Sequence, residues 1–177
     1  GSSIWQSDNH KIYAIRGVIG VGFLLTFFPG AAMLPVSDSM ALFFTAPLFG
    51  TILVLLFLGE KIHFRRIAAL IAGFCGALII LRPGFDEVNI GALLVLLGAL
   101  FTAASSSIIK YATRTDHPDK IVFYLMLYAT PLILGPALMF WTTPTVEQVV
   151  LMVGVGLLAT INQRFMSRAF AAADATA

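Results

Sequence analysis

Apolar runs of membrane-crossing length alternate along this chain with short polar turns, and the alternation predicts six helices. The clearest instance lies between Met40 and Leu81. Ala41 to Gly59 carries no charge over 19 residues; Glu60, Lys61, His63, Arg65 and Arg66 then crowd one turn, and Ile67 to Leu81 is apolar again. At about 1.5 Å rise per residue the first run matches a hydrocarbon core of roughly 30 Å. The second run is 15 residues long, so Arg66 and Arg82 must reach the headgroups from its ends. Together they make a membrane hairpin.

The same pattern predicts helix A from Arg16 to Leu34, B from Ser39 to Gly59, C from Arg65 to Leu81, D from Ile90 to Lys110, E from Ile121 to Trp141 and F from Val146 to about Ala173. Pro29 and Gly30 weaken the second half of A, Pro47 and Gly50 interrupt B, and Pro131 and Pro136 bend E. Ser37 or Asp38 is positioned to cap B, and Arg82-Pro83-Gly84 stops C. A row of small residues on C, Ala69, Gly73 and Ala77, allows close approach of a neighbour.

Charge tests the six spans independently, because cytoplasmic loops collect Lys and Arg. Lys11 and Arg16 precede A; Lys61, Arg65 and Arg66 join B to C; Lys110, Arg114 and Lys120 join D to E; Arg164 and Arg168 close F. All ten fall on one side, and only Arg82 falls on the other. Both ends of the chain are therefore expected to be cytoplasmic. Composition agrees: 59% of the residues are hydrophobic and 11% charged, against about 25% charged in soluble domains. The expected fold class is all-α, a polytopic membrane helix bundle with six transmembrane helices. A net charge of +2 provides no general basic surface for nucleic acid, and the single cysteine, Cys75, can form no intramolecular disulfide. Gly1 to Asn9 lack the apolar stretch of a signal peptide, and the chain reads as an internal piece of something longer.

A weak internal echo accompanies the pattern. Helix A reads GVGFLLTF from Gly20 and is followed by SDSMA at residues 37–41; helix F reads GVGLLATI from Gly154 and ends in ADATA at residues 173–177. Helices five crossings apart point in opposite directions, which is the mark of an inverted-topology repeat.

SDSMALFFTAPLFGTILVLLFLGEKIHFRRIAALIAGFCGALIILRPG resembles the end of an EamA-type repeat of the drug/metabolite transporter superfamily. The residues that carry the likeness are the small acidic turn, Ala46-Pro47-Leu48, Leu58-Gly59-Glu60 at the hairpin, and the Gly-rich helix closing on Arg82-Pro83-Gly84. NIGALLVLLGALFTAASSSIIKYATR is similar to the opening of the second repeat. The resemblance implies a ten-helix protein of two inverted five-helix repeats, of which this chain would supply helices three to eight. Residues 1–84 would be the last three helices of the first repeat, and residues 85–177 the first three of the second. It further implies secondary transport of a small metabolite by alternating access, in a bacterial inner membrane, with a cavity lined here by A, B, D and F.

The substrate-cavity candidates on those helices are Thr26, Phe27, Phe43, Thr45, Thr102, Ser105, Ser106, Asn162 and Gln163. Amides are costly in lipid and usually face a partner or water, whereas membrane hydroxyls often bond back to their own helix. Hinge candidates are Pro29, Gly30, Pro47 and Gly50. Glu60 is expected to be structural, pairing with Arg65 or Arg66 or capping C; Asp38 and Asp174 are expected to cap helices. Phe27, Phe28, Phe43 and Phe44 are expected to pack around the A/B turn, and Arg164 and Arg168 to reach lipid phosphates. No acid lies in the middle of a span, so a neutral or zwitterionic substrate moved by exchange or facilitated diffusion fits better than proton coupling. No catalytic motif, Cys/His cluster or phosphate loop is present, so neither an enzyme nor a metal or other cofactor is expected. The expected partners are a small-molecule substrate and the lipid bilayer, with a homodimer allowed and nucleic acid excluded. The alternative is a non-transporting helical subunit or assembly component, packed dry between A, B, D and F.

Overall fold

A computed structural model describes residues 10–58, 64–81, 89–113 and 116–175. They form α1 (His10–Ala32), α2 (Val36–Phe43), α3 (Ala46–Leu58), α4 (Phe64–Leu81), α5 (Ile90–Ala112), α6 (Pro118–Met139) and α7 (Val146–Ala175), with no strand among them. Five stretches are long and apolar enough to cross a membrane: His10–Ala32, Val36–Leu53, Ile90–Ala112, Pro118–Met139 and Val146–Ala172. A shorter apolar stretch, Ile67–Gly76, lies within α4. The protein is an all-α, polytopic membrane helix bundle.

Local chemistry sets the helix ends. Asn89 Oδ1 accepts from the N–H of Gly91 at 2.9 Å and of Ala92 at 3.4 Å, capping α5. His117 caps α6, its Nδ1 accepting from the Asp119 N–H, with Pro118 in the first turn where its missing N–H is not needed. Thr145 and Gln148 form a reciprocal capping box at the start of α7: the Thr145 N–H donates to Gln148 Oε1 at 2.9 Å, and the Gln148 N–H to Thr145 Oγ1 at 3.3 Å.

Helix B divides. The break falls at Phe44 and Thr45, just ahead of Pro47, so that the proline lies in the first turn of α3 and costs no hydrogen bond. The Thr45 N–H and Oγ1 both donate to the Leu42 carbonyl, at 3.0 and 2.6 Å, and tighten the turn. Neither Ser37 nor Asp38 caps α2. The helix already begins at Val36, both residues lie inside its first turn, and Ser37 Oγ donates to Asp38 Oδ1 at 3.1 Å instead. The small row on α4 is not a packing seam among the described residues, because Gly73 and Gly76 face open space and Cys75 is exposed. The expectations for Glu60, for Arg82 and for the side chains of Arg65, Arg66 and Asp174 lie outside the described residues.

The chain divides into two compact units, Gly1–Val18 with Ile108–Ala177, and Ile19–Ser107. In the second unit α1 and α5 run antiparallel at close range: Gly22 abuts the ring of Phe101, Gly98 abuts the backbone of Phe27, and Gly30 meets Gly91. A Cβ on Gly30 would lie 2.8 Å from the Gly91 carbonyl and 2.9 Å from the Val95 amide nitrogen, so only glycine permits this approach. Phe27, Leu42, Ala92 and Val95 form the core there, with Phe23 and Phe43 against it.

In the first unit the start of α1 runs parallel to the start of α6. Tyr13 stacks on Tyr124 with ring centres 4.8 Å apart, and one turn later in both helices Gly17 abuts Tyr128. The end of α5 joins them through Ala112, and α7 packs along α6. Helix starts and helix ends gather as alternate threading requires.

Candidate functional site

Seven of the nine sequence candidates belong to the second unit and two to the first. In the second unit Thr26, half-buried, donates to the Gly22 carbonyl at 2.8 Å. Thr45 is buried and donates to Leu42. Thr102 and Ser106 are half-buried and donate to the carbonyls of Gly98 and Thr102 at 3.1 and 3.0 Å. Ser105 is half-buried between them. The hydroxyls of Thr26, Thr45, Thr102 and Ser106 are satisfied by carbonyls three or four residues earlier, and each keeps lone pairs that can accept a further bond.

Phe27 and Phe43 meet at 4.8 Å between ring centres, and Phe23 stacks on Phe27 at 5.2 Å. Phe28 and Phe44 are exposed. The four phenylalanines therefore divide, one pair inward and one outward. Of the hinge candidates, Pro29 and Gly30 lie inside an unbroken α1, Pro47 opens α3, and a Cβ added to Gly50 would lie 3.9 Å from the Ala103 Cβ, an ordinary contact.

In the first unit Asn162 is exposed, while Gln163 joins a polar node that the sequence reading did not anticipate. Arg16, counted there as a loop charge, lies in the second turn of α1 and is 0% exposed. Its Nη1 donates to the Ile121 carbonyl at 2.8 Å and its Nη2 to Gln163 Oε1 at 3.2 Å. Beside it the Tyr13 hydroxyl donates to Asp116 Oδ2 at 2.6 Å, and Lys120 Nζ pairs with Asp116 Oδ1 at 3.0 Å, both charges largely sheltered. His10 Nδ1 and the Tyr128 hydroxyl are 3.1 Å apart at the rim.

Burying Asp116 and Lys120 together limits the cost of each, since a lone buried charge is far more expensive than a pair. Arg16 has no such relief. Among the described residues no carboxylate pairs with it, and its Nε and the buried Ser167 Oγ have no hydrogen-bond partner. An ionisable group buried at such cost is a candidate for a functional role. The signal in the sequence was Tyr13, Tyr124 and Tyr128, aromatic residues with polar tips at helical spacing beside loop charges, together with the i,i+4 pair Asp116 and Lys120.

Arg164 and Arg168 do not extend alone. Arg164 Nε lies 3.0 Å from Asp119 Oδ1 and Arg168 Nη2 lies 3.4 Å from Asp119 Oδ2, joining the far part of α7 to the start of α6.

Apolar helices of crossing length with buried ionic groups at gathered helix ends define an integral, polytopic membrane protein. Residues 2–82 match the EamA-like transporter family. It is 37% identical over 168 residues to a riboflavin transporter of Vibrio cholerae, a match covering 94% of this chain and 56% of that protein. It is 41% identical over 147 residues to a riboflavin transporter of Rhizobium johnstonii, covering 82% and 49%. A pseudopaline exporter of Pseudomonas aeruginosa is 32% identical over 165 residues, covering 92% and 58%. The chain thus spans about half the length of these curated relatives. The family and the relatives are transporters, not enzymes. No solved structure matches the chain.

Proposed function

We propose that the chain is part of a secondary carrier that moves a small metabolite across a bacterial inner membrane by alternating access. The observation that carries this reading is the similarity of 94% of the chain to a protein named as a transporter. Two relatives, at 37% and 41% identity, are named riboflavin transporters, so riboflavin is the first substrate to test. Its flat ring system bears carbonyl oxygens, acceptors that suit the unpartnered N–H of Arg16. In the second unit Thr26, Thr45, Thr102, Ser105 and Ser106 supply a polar face and Phe27 and Phe43 an aromatic wall, in the first unit Asn162 and Gln163 supply amides, and Pro29, Gly30, Pro47 and Gly50 are points of flexure. Residues 1–84 and 85–177 would be the neighbouring parts of two inverted repeats, a boundary supported by the family match ending at residue 82. The ten-to-one distribution of basic residues supports cytoplasmic ends for the chain.

The test is growth of a riboflavin auxotroph on limiting riboflavin, with the protein expressed at its natural length. The expected result is rescue, with initial uptake falling at least about fivefold in Ser106→Leu or Asn162→Leu at equal membrane yield, the loss of one or two hydrogen bonds. Unchanged uptake in both variants removes the two residues from the cavity, and growth no better than with empty vector overturns riboflavin as the substrate.

A further inference from the structure

A shallow groove of about 220 Å³ runs along α7, lined by Ile161, Arg164, Phe165 and Arg168. These positions recur at i, i+3, i+4 and i+7 and so share one helix face. Asp119 of α6 holds both guanidinium groups, at 3.0 and 3.4 Å. Two arginines against one carboxylate leave one positive charge in excess. Each guanidinium carries five N–H donors and gives a single bond to Asp119, and the two side chains are 51% and 55% exposed. Ile161 and Phe165 are 49% and 68% exposed on a helix of membrane-crossing length. A cationic end and an apolar wall on one face of a membrane helix fit an amphiphile better than a free ion.

We propose that this face of α7 binds an anionic phospholipid, its phosphate on Arg164 and Arg168 and an acyl chain along Phe165 and Ile161. The order along the helix suits this. The arginines lie toward the end of α7, where headgroups sit, and Ile161 lies one to two turns deeper. Asp119 orients both guanidinium groups and at the same time competes with the phosphate for them, so its charge sets the affinity from the opposite direction.

Native mass spectrometry of the intact protein in micelles, titrated with phosphatidylglycerol, phosphatidylcholine or inorganic phosphate, reads the bound fraction directly. Phosphatidylglycerol is expected to bind in preference to phosphatidylcholine. The preference should fall about fivefold in Arg164→Gln and again in Arg168→Gln, in line with the contribution of one basic residue near a membrane surface. Asp119→Asn should raise it by a similar factor, an outcome that misfolding does not produce. Equal retention of both lipids, or a preference that Asp119→Asn leaves unchanged or lowers, would overturn the proposal. Inorganic phosphate displacing phosphatidylglycerol at equal concentration would show an anion site with no lipid component and would overturn it as well.

Discussion

Gly30→Val is expected to abolish most of the folded yield of this protein, while Gly73→Val leaves it unchanged. The new Cβ at residue 30 would lie within 3 Å of the Gly91 carbonyl oxygen, the Leu94 Cβ and the Val95 amide nitrogen. Two of those atoms are backbone and cannot rotate away, so α1 and α5 must separate, and Phe27, Leu42, Ala92 and Val95 lose their contacts. Overpacking of this kind costs about 3 kcal/mol, a large share of the stability of a marginally stable fold. At Gly73 nothing lies within 4 Å, and a surface change there is worth about 0.5 kcal/mol or less. Thermal unfolding in detergent, followed by the monodisperse fraction, distinguishes the two variants. Equal midpoints would mean that α1 and α5 do not pack as described.

Arg16→Met is expected to give the opposite combination, a protein at least as stable as the parent that transports poorly. Removing a buried charge that lacks a carboxylate partner relieves a desolvation cost, and the comparable replacement of buried ionic groups by apolar ones is neutral or stabilising by about 1–4 kcal/mol. Gln163, left without its partner, is half-buried and can return to water. A midpoint unchanged or raised, with riboflavin uptake down at least about tenfold, is the expected pair of results, since one charge-assisted hydrogen bond is worth roughly that factor. A large loss of stability with transport per folded molecule unchanged would make Arg16 a structural residue.

Much of this helical architecture was legible because bilayer thickness fixes the length of an apolar run. That signal is carried by composition and needs no tertiary contact. Helix ends were less legible. Helix B was expected to be interrupted at Pro47, whereas the break falls at Phe44 and Thr45, because a proline is accommodated in a first turn and the chain yields ahead of it. The capping box of Thr145 and Gln148 stands in the sequence as T-x-x-Q before an apolar run.

The candidate site was legible in part. Gln163 was singled out as a costly amide, and it does meet a partner. That the partner is Arg16 was hidden, because an arginine at the edge of an apolar run reads as a headgroup contact until the helix is known to begin two turns earlier, at His10. Asp116 and Lys120 were hidden for the same reason. They stand in a polar loop by sequence, and their shelter comes from the fold, with Tyr13 stacked on Tyr124 and bonded to Asp116. Arg164 and Arg168 were expected to reach phosphates, and the carboxylate of Asp119 that holds both was not foreseen.

Counterflow of labelled riboflavin into proteoliposomes containing the protein at its natural length tests the carrier reading most directly. Alternating access predicts saturable uptake that unlabelled riboflavin on the inside accelerates. Flux equal to that of protein-free liposomes, or unaffected by internal riboflavin, would contradict it.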